Sequence, residues 1–126
     1  MKPSPLRSAV DGGHPAIDMF AMMDGGASAR ILAHLGYHFI VFDLQHSAND
    51  LSGIEAVLGG VNGTDCAPVA RMHPWRPAQI EWVLDLGAHG VVVPMVNSVA
   101  DARMAVHACR YPPHGRRSVA AQRNVL

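Results

Sequence analysis

Four times along this chain a short apolar run gives way, across a polar turn, to a segment whose apolar residues recur every three or four positions. That change of period predicts a strand followed by a helix, four times over. Positions 16–21 form the first run. GGASARILAHLG follows it, with Ser28 near its start, Ile31, Leu32 and Leu35 on one side and Gly36 to stop it. Phe39 to Phe42 (FIVF) is unbroken by polar residues, the pattern of a strand covered on both faces of a parallel sheet. Asn49 or Asp50 is placed to cap the next helix, whose apolar positions are Leu51, Ile54, Val57 and Leu58. Ala67 to Arg71 reads as the third strand. Pro77 suits the first turn of the helix after it, with Ile80, Val83 and Leu84 as its stripe and Gly87 at its end. The fourth unit opens on GVVVPMV, where Pro94 fits only at the strand's end. It continues into VADARMAVHACR, capped by Ser98, with Val99, Ala102, Ala105 and Val106 expected to face inward.

Four strand-helix units joined by short loops predict an α/β fold built on a parallel sheet with right-handed crossovers. Two architectures accommodate them: a doubly wound domain of this length, or half of a closed (β/α)8 barrel, which takes about 250 residues. The expected organisation is a poorly structured leader over 1–15, the four units over 16–110, and a loop over 111–126.

In such folds the loops leaving the C-terminal ends of the strands form the active face. The second strand ends in Asp43, with Gln45 and His46 just beyond. The third ends in Arg71, and the loop after the fourth carries Asn97. An arginine there can grip a carboxylate through two parallel hydrogen bonds or stabilise charge on a carbonyl oxygen. Asp43 accepting a hydrogen bond from the His46 ring would fix its tautomer and leave its other nitrogen to move protons near neutral pH. Each residue also has a plainer reading: a strand-end acid capping a loop, a hydrogen-bonded structural histidine, an arginine paired with a surface acid. Their shared face favours a site for an anionic, oxygen-rich small molecule.

Composition narrows the alternatives. The chain has 126 residues, 49% of them apolar, with ten basic side chains cancelled by ten acidic ones. This suits one soluble domain and gives no broad field for nucleic acid or an anionic membrane. No apolar run approaches the roughly twenty residues a bilayer requires, and the first fifteen residues lack a signal-peptide core, so a cytoplasmic protein is expected. Cys66 and Cys109 lack CxxC spacing and read as reduced core thiols. Gly36 breaks the helix between His34 and His38, and His73, His89, His107 and His114 show no ligand spacing. Met22 and Met23 read as packing residues. Lys2, the only lysine, sits in a polar terminus outside every predicted strand, so no buried lysine is available for Schiff-base chemistry.

The segment FDLQHSAND resembles the D-x-E-H-x-x-x-D element of the HpcH/HpaI aldolases. The stretch from PVARMHPW through LDLGAHGVVVPMV to RYPPHGRRS is similar to the family's run from its arginine-bearing third strand to R-Y-P-P-x-G-x-R-G. The resemblance begins near Ile17 and implies the N-terminal half of a (β/α)8 TIM barrel. It implies a metal-dependent class II pyruvate aldolase that cleaves 2-oxo-4-hydroxy acids to pyruvate and an aldehyde. His46 matches the catalytic histidine, Asp43 its partner acid, and Arg71 the arginine that binds the pyruvate oxygens. The implied cofactor is a divalent metal, magnesium, manganese or cobalt, and the implied assembly is a homo-oligomer, a hexamer in the family.

Gln45 replaces the family's usual glutamate, removing a charge beside the site, and Ser118 stands where the family has glycine. The family's metal ligands, a glutamate and an aspartate, lie on later strands than this sequence contains. No residue of this chain is therefore assigned as a ligand, and the chain alone is expected to be inactive. Two other readings stand beside the aldolase: a non-catalytic half-barrel that associates with itself or with a full-length relative, and a small α/β binding domain for a carboxylated ligand.

Overall fold

All four apolar runs become strands: β1 (Asp18–Ala21), β2 (Phe39–Asp43), β3 (Ala67–Arg71) and β4 (Gly90–Val92). They lie side by side in chain order, each pairing parallel with the next. The computed structural model describes residues 4–23, 25–73 and 75–119; Lys2 and positions 120–126 of the expected terminal loop lie outside the described residues. β4 stops at Val92, short of Pro94, which has no N–H to offer a ladder. The helices between and after the strands are α2 (Gly26–Ala33), α3 (Ile54–Val61), α4 (Pro77–Asp85) and α5 (Val99–Cys109). Among the described residues no helix is long and apolar enough to cross a membrane.

One face of the sheet meets the helices. Ala21, Ile40, Phe42 and Ala70 share a core with Ile54, Val57, Leu58 and Val61 of α3 and with Ile80, Val83 and Leu84 of α4. The α4 stripe thus does what its periodicity predicts, as does that of α3 over Ile54, Val57 and Leu58, while Leu51 lies in the turn before α3 and is half-buried. Cys66 is buried, Cys109 is half-buried, and both are free thiols. α4 ends as expected at Gly87, whose φ of 109° is open to glycine at little cost.

Three local expectations are corrected. The leader over 1–15 carries a helix, α1 (Pro5–Asp11): proline is pre-set for the first turn, the Arg7 guanidinium pairs with Asp11 at 2.8 Å one turn on, and Ala9 is buried. On α2 the buried residues are Ala29 and Ala33, while Ile31 and Leu35 are exposed and only Leu32 of the expected stripe packs against the core. The cause is backbone proximity. A Cβ at Gly60 of α3 would lie 2.3 Å from the Gly26 carbonyl oxygen, so α2 can turn only small residues toward α3. On α5 Ala105 and Ala108 are buried, whereas Val99, Ala102 and Val106 are exposed. Small residues again mark the packed face, here against α4.

The segment after α5 folds back on the domain. The Arg117 guanidinium donates from Nη2 to the Asp85 carboxylate at 2.6 Å, with both side chains nearly buried, and lies 4.8 Å from the centre of the Tyr111 ring. The Arg116 and Arg117 amides donate to the carbonyls of His107 and Arg110.

Candidate active site

Strand register decides which side chains meet. Phe20 is level with Val41, Val41 with Val69, Asp43 with Arg71, and Arg71 with Val92. Because alternate residues point to opposite faces, these six share the face turned away from the helices. Phe20 and Val92 are 47% and 38% exposed, so this face is open to solvent near the strands' C-terminal ends.

Asp43 and Arg71 meet there. Arg71 Nε donates to Asp43 Oδ1 at 2.8 Å and Nη2 donates to Oδ2 at 2.5 Å, a two-pronged pair across neighbouring strands. The Asp43 side chain is 1% exposed and that of Arg71 23%. Oδ1 also accepts the backbone N–H groups of Gln45 at 2.8 Å and His46 at 3.2 Å. The hydrogen bonds from Arg71 hold the Asp43 carboxyl well below its ordinary 3.8, at about 2; burial opposes the shift and the two amides reinforce it. The same bond raises the Arg71 guanidinium further. Arg71 therefore carries its charge permanently, with its Nη1–Nη2 end uncommitted to Asp43, because the carboxylate occupies the Nε–Nη2 edge. Its Cζ lies 5.1 Å from the centre of the Phe20 ring.

The expected contact between the Asp43 carboxylate and the His46 ring is not made among the described residues. Arg71 and two amides take the carboxylate instead, because a turn this tight brings the backbone of residues 45 and 46, not the imidazole, over the acid. His46 is exposed and is linked to Asp43 through its own N–H. Ser47, which sequence reasoning passed over, and Asn49, which it read as a helix cap, hold this turn. Ser47 Oγ donates to the Asp43 carbonyl oxygen and accepts the Asn49 N–H at 3.0 Å, while Asn49 Nδ2 donates to the same carbonyl at 3.3 Å. The signal was present in the serine and asparagine themselves, which commonly bond nearby backbone in turns.

Asn49 and Asp50 do not cap α3 as expected. Gly53 occupies the N-cap position, and Asp50 Oδ1 accepts from the Ser52 and Gly53 amides in the turn before it, both at 2.9 Å. Asn97 does not join the strand-end cluster through any hydrogen bond: Nδ2 donates to the Met95 carbonyl at 3.0 Å within its own loop. Gln45 is half-buried and contributes its backbone N–H. A cavity of about 370 Å³ opens beyond the ends of β2 and β3, lined by Leu44, Met72, Asn49 and Gln79 among others but by neither Asp43 nor Arg71. Leu44 and Met72 belong to the helix-side core, so it lies behind the Asp43–Arg71 face and not upon it. Among the described residues no three His, Cys, Asp or Glu side chains converge in a way that could hold a metal ion.

The sequence over residues 17–126 matches the family model described as HpcH/HpaI aldolase/citrate lyase. The chain belongs to this family. A hydroxypyruvate/pyruvate aldolase of Roseovarius nubinhibens is 37% identical over 116 residues, covering 92% of this chain and 45% of that protein. A 4-hydroxy-2-oxo-heptane-1,7-dioate aldolase of Klebsiella pneumoniae is 34% identical, covering 90% and 43%. Among solved structures, an HpcH/HpaI aldolase/citrate lyase family protein of Burkholderia cenocepacia superposes with a TM-score of 0.83 at 28% identity, over 93% of this chain and 48% of that one. The chain thus spans about half the length of the curated relatives it matches, and its four βα units are the N-terminal half of a TIM-barrel aldolase fold.

Proposed function

We propose that this chain supplies the oxo-acid-binding and proton-transfer residues of a pyruvate aldolase, a carbon–carbon lyase that cleaves 4-hydroxy-2-oxo acids to pyruvate and an aldehyde. The observation that carries the reading is the Asp43–Arg71 pair at the C-terminal ends of adjacent parallel strands, with His46 on the same turn. Asp43 fixes one edge of the guanidinium and leaves the other end free to take an oxo acid's carboxylate through two parallel hydrogen bonds. The same fixed charge stabilises the negative oxygen of the enolate as it forms. His46 serves as the base: its imidazole takes the proton of the C4 hydroxyl, the C3–C4 bond breaks, the aldehyde carbonyl forms, and the bond's electron pair passes into the enolate. Return of the proton to C3 gives pyruvate.

A divalent cation, magnesium, manganese or cobalt, would polarise the oxo-acid oxygens when bound. By the family resemblance its ligands, a glutamate and an aspartate, belong to later strands of the barrel than this chain covers. On this reading the 126-residue chain is inactive alone. The test is exchange of pyruvate's methyl protons in heavy water, followed by proton NMR. We expect metal-dependent exchange when the chain is joined to the C-terminal half of a curated relative, and its loss in His46→Ala and Arg71→Lys. Equal exchange in both variants would remove the assignment.

A second reading, a half-barrel without catalysis that pairs with a copy of itself or with a full-length relative, draws on the outer edges of β1 and β4, which pair with no further strand among the described residues, and on Phe20 and Val92, exposed on the sheet face turned from the helices. Association of the lone chain, with no exchange after joining to the second half, would favour it.

A further inference from the structure

A half-exposed phenylalanine on a strand needs a reason, because the sheet's core lies on the other face. Phe20 is 47% exposed and level with Val41, two residues short of the row that holds Asp43 and Arg71. The Arg71 side chain starts on β3, passes over Asp43 on β2, and brings its Cζ to 5.1 Å from the Phe20 ring centre on β1. Three strands therefore contribute to fixing one guanidinium.

The two contacts restrain different motions. A two-pronged bond to a carboxylate fixes the guanidinium within its plane but lets that plane hinge about the line joining the two oxygens. The Phe20 ring, its centre 5.1 Å from Cζ, stands beside the guanidinium and limits that hinge. An arginine carries more rotamer freedom than most side chains, and binding an anion with an arginine already held loses less of it. We propose that Phe20 is a positioning residue, which sets the tilt of Arg71 so that its free Nη1–Nη2 end faces the oxo-acid carboxylate. The proposal rests on the functional reading above for its ligand, and on the ring geometry for its mechanism. Tyrosine keeps the aromatic face and should serve in its place; leucine keeps an apolar side chain and loses that face.

The experiment follows the Arg71 Nε–H resonance by nitrogen-15 NMR in the full 126-residue chain, assigned by its disappearance in Arg71→Lys, with oxalate as the probe. In oxalate-free protein, Phe20→Leu should speed solvent exchange of this proton and shift its resonance, while Phe20→Tyr restores the wild-type behaviour. Oxalate should bind Phe20→Leu about 3- to 10-fold more weakly than wild type or Phe20→Tyr, the range of a partly exposed cation–π contact. A merely structural Phe20 would change thermal stability and leave the Arg71 resonance in place. Unchanged exchange and unchanged oxalate affinity in Phe20→Leu would overturn the proposal. If oxalate fails to move the Arg71 resonance in wild type, the functional reading falls, and the exchange rates without oxalate still decide whether Phe20 holds the guanidinium.

Discussion

Replacing Asp43 with asparagine removes the negative half of a nearly buried ion pair while keeping its shape. The asparagine Oδ1 can still accept the Gln45 and His46 amides, but its Nδ2 then faces the Arg71 Nη2 donor. In the native chain the carboxyl is lowered from 3.8 to about 2, chiefly by the Arg71 hydrogen bonds. At roughly 1.4 kcal/mol per unit, that shift corresponds to about 2 kcal/mol of stability at neutral pH. For a domain whose whole stability is of order 10 kcal/mol, such a loss is readily measured. The sign follows from linkage. The folded carboxyl binds its proton less readily than the unfolded one, so the contribution is complete above about pH 4 and is lost as the pH falls toward about 2. Urea denaturation followed by far-ultraviolet circular dichroism should therefore show Asp43→Asn about 2 kcal/mol less stable than wild type near pH 7, with the gap closing as the pH approaches 2. Other carboxylates titrate in both proteins and cancel in the difference. A gap below about 0.5 kcal/mol at neutral pH, or one that does not change with acidification, would refute the reasoning.

Other perturbations follow from the same structure. Arg117→Met leaves the Asp85 charge nearly buried without its partner and should cost about 3 kcal/mol in urea denaturation; adding Asp85→Leu should recover most of it. Gly60→Ala forces a methyl toward the Gly26 carbonyl and should destabilise by about 1–3 kcal/mol in thermal unfolding, with the α2–α3 pair moving apart. Ser47→Ala removes the hydroxyl bridge beneath the β2–α3 turn; a stability loss of about 1 kcal/mol should accompany faster hydrogen exchange at the amides of His46 and Asn49. If exchange at His46 does not respond, Ser47 does not hold the turn.

Much of the fold was legible because it is written in short-range pattern. The third strand over Ala67–Arg71, the α4 span opening at Pro77, and the Ser98 cap, which accepts the Asp101 amide, are set by residues within one or two turns of each other. The stripes on α2 and α5 were misjudged for the opposite reason. Hydrophobicity marks the inward face only where there is room for large side chains, and the approach of Gly26 to Gly60 is a fact of packing between residues 34 positions apart. In the candidate site, residue types at strand ends pointed to Asp43, His46 and Arg71, and the structure pairs two of them, Asp43 with Arg71; no pattern in FDLQHSAND tells whether the acid bonds the imidazole or the guanidinium.

The sequence by itself determined the order of elements, the parallel sheet and the collection of polar residues at one end of it, because periodicity and turn chemistry act locally. Only the tertiary structure decided which of those residues bond. Parallel register set Asp43 level with Arg71 across 28 intervening steps of chain, and strand alternation turned Phe20 to the same face. The tight turn after β2 put amides where an imidazole was expected. The physical reason is that side-chain pairing depends on angstrom-scale geometry between strands, which no single strand encodes.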